Sequence, residues 1–258
     1  EKAHAEAQFV GLTSQQLVEL RTVKILDENW LLIRFIAMKL VFLLTVPAAC
    51  GLIVLGEPII ALIYQGGRFT AFDTQMTAWS LAGYSVGLAG YAAIKVLSPS
   101  FYALDDARTP MYVSIGSVLV HAPTSFGMMY LLSHVGVTAE RPNGYGHVGV
   151  ALATSAVALV NFFALTYLMR RKIGRLNGRE IIIAFVKIAI AAAVMCVVSY
   201  FSYQYLASLT TEKNLWIRAV EAFVPIALGG ATFFIAATLL RVEQLTQLVS
   251  LVRRKLGR

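Results

Sequence analysis

Six runs of this chain are too long and too apolar to remain in water. They fall at 31–56, 75–102, 110–132, 147–169, 180–204 and 216–240, and each exceeds the roughly 18 residues that mark a bilayer-crossing helix. Hydrocarbon offers no hydrogen bonds, so every backbone amide and carbonyl in such a run must be satisfied within the segment, and the segment folds as a helix. The fold class that follows is all-α, a polytopic membrane bundle of six transmembrane helices. Composition agrees: 58% of residues are hydrophobic and 14% charged, against about 25% charged in a soluble domain.

The cations sort by side. One alternate set of connections holds Lys2, Arg21 and Lys24, then Arg108, then Arg170, Arg171, Lys172, Arg175 and Arg179, then Arg241, Arg253, Arg254, Lys255 and Arg258. The other set holds Arg68, Arg141 and Lys213. Lysine and arginine gather on the cytoplasmic side of a membrane protein, so both termini are expected there. The net charge of +8 is then a topology signal, and nucleic acid is excluded as a partner. The chain divides into a cytoplasmic lead-in at 1–30, four spans within 31–170, two more within 171–240, and a basic tail at 241–258. The lead-in carries apolar residues at helical spacing from Leu12 to Trp30. The chain opens on Glu1 with no signal-peptide pattern, which suggests a processed or longer parent chain. Cys50 and Cys196 lie inside apolar runs and read as small hydrophobes.

Punctuation marks the helix ends. Pro47 predicts a kink at the centre of the first span. Gly56-Glu57-Pro58 is expected to break that helix, with 59–69 forming a short apolar return that ends at Gly66-Gly67. Thr70 and Asp73 have the spacing of a capping box opening the second span. The stretch 95–110 is a tight connection, in which the Thr109 hydroxyl is expected to cap the third helix and Pro110 to occupy its first turn. Arg141-Pro142-Asn143-Gly144 reads as an ordinary turn.

No enzyme constellation is present: no metal-spaced His/Cys cluster, no paired carboxylates within a span, no P-loop and no dinucleotide fingerprint. The protein is not expected to be an enzyme or to hold a cofactor or metal. Without an ATP site, any transport draws on a gradient, the substrate or a partner. Polar residues at membrane depth carry the remaining information. Lys95 stands roughly 12 Å inside the second span; it either snorkels to the interface or faces a cavity and attracts an anion. His121 falls near the bilayer centre with Ser125 one turn on, and Thr154, Ser155 and Asn161 add polar atoms in the fourth span. These either bond helix to helix or line a proton- or cation-sensitive site. Arg34, Lys39 and Lys187 are expected at the inner interface, and Glu57 and Arg68 at the outer mouth. Arg218 and Glu221 are spaced to pair. Gly83, Gly87 and Gly90 form a small-residue face for close packing.

Several motifs then coincide. Pro47-Ala48-Ala49-Cys50-Gly51-Leu52, the loop Tyr64-Gln65-Gly66-Gly67-Arg68-Phe69-Thr70, the helix end from Lys95 through Pro99, Phe101 and Tyr102 to Ala103, the turn Asp106-Ala107-Arg108-Thr109-Pro110 and the run from Gly149 to Ser155 together resemble the MurJ (MviN) family of lipid II flippases. The resemblance is specific over 47–155. It implies a fourteen-helix transporter of the multidrug/oligosaccharidyl-lipid/polysaccharide exporter superfamily, of which these six spans are the last: four of the second lobe and the extra C-terminal pair. It implies a bacterial inner-membrane protein that moves lipid II, the undecaprenyl-pyrophosphate-linked peptidoglycan precursor, by alternating access. Its partners would be lipid II, membrane lipids and the missing N-terminal half. Lys95 and Arg68 would attract the anionic head, His121, Ser125 and Thr154 would tune the cavity, and the last two spans would hold the tail. Family members commonly carry an Asn four residues before another Asn or Asp where this chain has His121 and Ser125. A polysaccharide-unit or drug exporter of the same superfamily, or a non-transporting membrane scaffold, is the rival reading.

Overall fold

A computed structural model describes residues 36–138, 144–173, 178–209 and 214–242. The lead-in 1–30, Arg34, Arg141-Pro142-Asn143 and the tail beyond Val242 lie outside them. The helices are α1 (described over 36–54), α2 (Gly56–Tyr64), α3 (Ala71–Tyr102), α4 (Arg108–Ser133), α5 (Gly146–Ile173), α6 (Gly178–Leu209) and α7 (Leu215–Leu239). α1 and α2 together make one span, so six helices are long and apolar enough to cross a membrane.

The first span corrects one expectation. The helix runs unbroken through Pro47, and the interruption falls at Leu55, with φ −104° and ψ 14°. Pro58 is the cause: it has no N–H to donate, and its ring crowds the carbonyl four residues back, at Val54. Yet Leu55 N donates to Gly51 O at 2.8 Å and Ile59 N to Leu55 O at 3.1 Å. The ladder is dented and carries on to Tyr64, so the first part of the expected return at 59–69 is instead the far end of the same span. The turn that follows is real. Gly67 has φ +59°, a left-handed conformation that a Cβ resists, and Phe69 packs on Tyr64 with centroids 6.0 Å apart. Thr70 and Asp73 then form the expected capping box in full.

α5 lies between α3 and α4, α6 pairs with α7, and α2 touches both α3 and α7. The α3–α5 contact rests on the glycine face. A methyl added at Gly83 would meet Ala151 at 2.9 Å, and one at Gly87 would lie 2.5 Å from the Ser155 Cα. Ser155, which is buried, uses that proximity. Its hydroxyl donates to the Gly83 carbonyl at 2.6 Å and accepts from the Gly87 amide at 3.0 Å. Those are the two ends of one i, i+4 rung of α3, so the side chain is inserted into the helix ladder. A related contact joins α6 to α7, where Ser199 Oγ donates to Pro225 O at 3.3 Å beside Gly229.

The larger apolar core lies towards the end that carries Arg170 and Lys172, called here the basic end. Met38, Phe42 and Leu43 of α1 pack there with Leu97 and Phe101 of α3, Leu165 and Met169 of α5, Ile188 of α6 and Phe233 of α7. Phe42 meets Phe162 and Phe185 edge to face at 6.1 and 5.4 Å, a favoured ring geometry. Cys50 and Cys196 are free thiols that adjoin across α1 and α6.

The α3–α4 turn departs from expectation in its chemistry. Thr109 does not cap the helix. Asp106 does, accepting from Thr109 N at 3.1 Å and from the Thr109 hydroxyl at 2.7 Å. Asp106 also accepts from Lys172 Nζ at 2.7 Å, which ties the turn to the end of α5. The Lys172 ammonium, then the Thr109 hydroxyl and amide, bring the Asp106 carboxyl down to about 2.

Two outcomes test this account. Gly87→Ala is expected to cost about 1–3 kcal/mol in a detergent unfolding titration. Gly90→Ala, where the nearest atom is the movable end of Leu159 at 3.0 Å, should cost less; equal losses would contradict the close contact. A depressed carboxyl pKa stabilises the fold above the ordinary value of 3.8 and loses that contribution as pH falls towards about 2. Asp106→Asn should therefore lower the thermal midpoint at pH 7 and flatten its fall between pH 4 and pH 2.

Candidate functional site

The polar side chains at membrane depth meet on the seam between α4 and α5. α4 turns Gly116, Ser117, His121, Thr124, Ser125 and Met128 away from full exposure, a stripe at helical spacing. Gly149 of α5 lets the helices approach, since a Cβ there would meet the Met128 carbonyl at 2.4 Å. Within this seam His121 Nε2 lies 3.1 Å from Thr154 Oγ1. Thr154 gives its own proton to the Val150 carbonyl at 3.0 Å, so the imidazole Nε2 is the donor to Thr154. Ser125 Oγ, Asn161 Oδ1 and Thr166 Oγ1 are buried with no hydrogen-bond partner among the described residues. Orphaned polar atoms are costly in a dry interior. Ser125 belongs to the seam, where its free hydroxyl can take up a polar guest, and Thr166 lies in the wall of the large cavity described next.

The structure therefore brings His121 and Thr154 together, with Ser125 one turn away. It does not bring Lys95 and Arg68 together. Lys95 is exposed near the basic end of α3, its ammonium 4.9 Å from the Tyr91 ring centroid, a cation–π distance. Arg68 is exposed in the loop before Ala71, and 24 residues of helix between Ala71 and Lys95 span roughly 36 Å. Each lies at its own end of the protein.

Two cavities lie away from the seam, and neither is lined by α4. The larger, about 690 Å³, opens between α1, α3, α5 and α6. Phe42, Gly90, Phe162 and Phe185 are among its walls, and Arg170 and Arg179 line it too. Sequence reasoning looked for a tail groove on the last two spans; this one uses α6 and three earlier helices. The smaller, about 50 Å³, lies at the opposite end and is lined by Glu57, Thr74, Tyr203, Arg218 and Glu221. Arg218 donates to the Gln65 carbonyl and so clips α7 to the end of α2, a contact its spacing from Glu221 did not suggest. Among the described residues no group of three His, Cys, Asp or Glu is placed to hold a metal.

The signature residues mostly shape turns. Gly67 and Phe69 fold the loop before α3, Phe101 is 1% exposed in the core, and Thr109 bonds Asp106. Pro110 is buried at the start of α4, while Pro99, Tyr102 and Arg108 face outward. What sequence reasoning missed is Ser155 as a wedge in α3. The signal was available: a serine in one small-residue helix opposite a glycine stripe in another.

Comparison with known proteins extends the match. The family model for lipid II flippase MurJ matches residues 27–219. The probable lipid II flippase MurJ of Vibrio cholerae is 34% identical over 130 residues, 50% of this chain and 22% of that protein. The lipid II flippase MurJ of Burkholderia cenocepacia is 36% identical over 101 residues, 39% of this chain and 20% of that protein. The matched part thus spans about a fifth of those relatives. A solved structure of lipid II flippase MurJ in an inward closed conformation shares the fold with a TM-score of 0.59 at 23% identity, over 90% of this chain and 41% of that one.

The seam gives a direct test. A double-mutant cycle on His121→Ala and Thr154→Val is expected to show a coupling of about 0.6 kcal/mol, the usual size for a hydrogen bond between membrane helices. Strictly additive unfolding free energies would show that the pair does not form.

Proposed function

Because the chain belongs to the lipid II flippase MurJ family, multi-pass proteins of the bacterial inner membrane, we propose that it supplies the closing helices of a transporter. That transporter carries lipid II from the cytoplasmic to the outer leaflet. The observation that carries this reading is the family match, which runs through the first five of the six spans. The geometry supports it. Lipid II joins an anionic sugar-bearing pyrophosphate head to a long polyprenyl tail, so its carrier needs a polar route beside an apolar one. The α4–α5 seam with His121, Thr154 and Ser125 provides polar atoms at mid-depth, and the groove along Phe42 and Phe162 provides a channel for the tail. Arg170 and Arg179 add positive charge on the side from which the pyrophosphate enters.

In this reading Lys95 and Arg68, at opposite ends of α3, act at different moments. Lys95 attracts the head at loading, and Arg68 meets it at the opposite face on release. Alternating access exposes one end and then the other, so cations at both ends suit the cycle better than a single cluster. The remaining spans of the transporter come from the N-terminal half that the longer relatives possess, and membrane lipids surround the whole.

The test supplies that half from a full-length relative, co-expressed with this chain in cells depleted of their own flippase. Growth and lipid II translocation are expected to be restored, and Lys95→Ala should cut translocation about tenfold, the effect of losing one hydrogen bond to a charged group. Failure to translocate lipid II while a drug or another polysaccharide unit is moved would favour the exporter reading. Full rescue by both Lys95→Ala and His121→Ala would favour a scaffold.

A further inference from the structure

At the basic end, α1, α6 and the end of α7 enclose a pocket of about 310 Å³ that the flippase reading does not use. Its lining brings together Lys39, Lys187 and Arg241, with Glu180 as the one carboxylate. Lys39 is paired with Glu180 at 3.3 Å, and its side chain is only 15% exposed. Among the described residues Lys187 and Arg241 have no ion-pair partner. Two cations in excess therefore converge from positions far apart in the chain, which is more than a solvated basic helix end provides.

Arg241 is held there at a conformational cost. α7 closes with Arg241 N donating to Thr238 O and Val242 N to Ala237 O, both at 3.0 Å. That pair of bonds requires a left-handed residue after the helix, a place usually taken by glycine. Here it is Arg241, with φ +48°, while Val242 is 2% exposed in the core and anchors the turn. The Cα–Cβ direction of Arg241 is thus set by the closing turn of α7, and the side chain contributes to the pocket lining.

We propose that this pocket binds the phosphate headgroup of an anionic phospholipid in the adjoining leaflet. Basic pockets between transmembrane helices near the cytoplasmic face suit such headgroups. The acyl chains have a track to follow. Ile183, Ile190 and Val194 are 46, 48 and 44% exposed, and with Lys187 they fall on one face of α6 at helical spacing. A lipid whose head rests on Lys187 and Arg241 lays its chains along that stripe, which a free phosphate ion would leave bare. The bound lipid ties α1, α6 and α7 together at the basic end. The inference stands whether or not the chain moves lipid II.

The experiment places the full 258-residue chain in nanodiscs of phosphatidylcholine containing a minor fraction of phosphatidylglycerol. Retained lipid is then read by native mass spectrometry. Phosphatidylglycerol is expected to be retained preferentially, and Lys187→Gln and Arg241→Gly should each lower that preference about fivefold. Arg241→Gly is the telling variant, because glycine suits the left-handed backbone and the thermal midpoint in pure phosphatidylcholine should not fall. Lys187→Arg should keep the preference, and Arg171→Gln, at the same end but outside the pocket, should leave it unchanged. Wild-type retention by both pocket variants would overturn the proposal. So would an equal loss in Arg171→Gln, which would mean a diffuse surface charge, or displacement of the lipid by millimolar inorganic phosphate, which would mean a free-anion site.

Discussion

The hydroxyl of Ser155 occupies a rung of a neighbouring helix, and the rest of the bundle is arranged around that contact. In lipid the usual reason for helices to associate is missing, because acyl chains are as apolar as leucine. Close van der Waals contact and hydrogen bonds have to hold the spans instead. Glycine at 83 and 87 removes the spacers, and Ser155 takes the backbone groups that the approach uncovers. Ser199 beside Gly229 does similar work for α6 and α7. With α5 locked on α3, its other face presents Gly149 and Thr154 to α4, so the polar seam is a consequence of the lock.

The six spans were legible because hydropathy records a solvent constraint that acts on every residue alike. Helix ends were harder, since local chemistry offered rival solutions. Gly56-Glu57-Pro58 has the composition of a terminator, yet the hydrogen bonds through Leu55 keep the segment helical, because hydrocarbon penalises an unpaired backbone more than a dent. At the next turn either Thr109 or Asp106 could have served as the cap. Asp106 won because it can bond Lys172 as well, a residue 66 positions away that no local pattern reveals.

The functional residues were legible by type and less so by grouping. Polarity at depth picked out His121 and Thr154, and their contact across 33 positions follows from the small residues between the two helices. Lys95 and Arg68 share a charge but not a location. Sequence gives no ruler between two loops until the helix joining them is measured. The pocket at Lys39, Lys187 and Arg241 escaped for the same reason: two of its cations come from separate helices and the third from the turn that closes α7.

α4 has no buried residue in its membrane-crossing window, and among α2 to α7 it leans on α5, with only a brief touch on α3. A helix fastened along a single edge behaves like a page bound at its spine. Turning it breaks one set of contacts, among them the His121–Thr154 bond, which can be exchanged for another. Its remaining face, with Val118, Leu119 and Phe126 exposed, loses nothing by sweeping through oil. Motion in this protein is therefore cheapest where its polar atoms are concentrated.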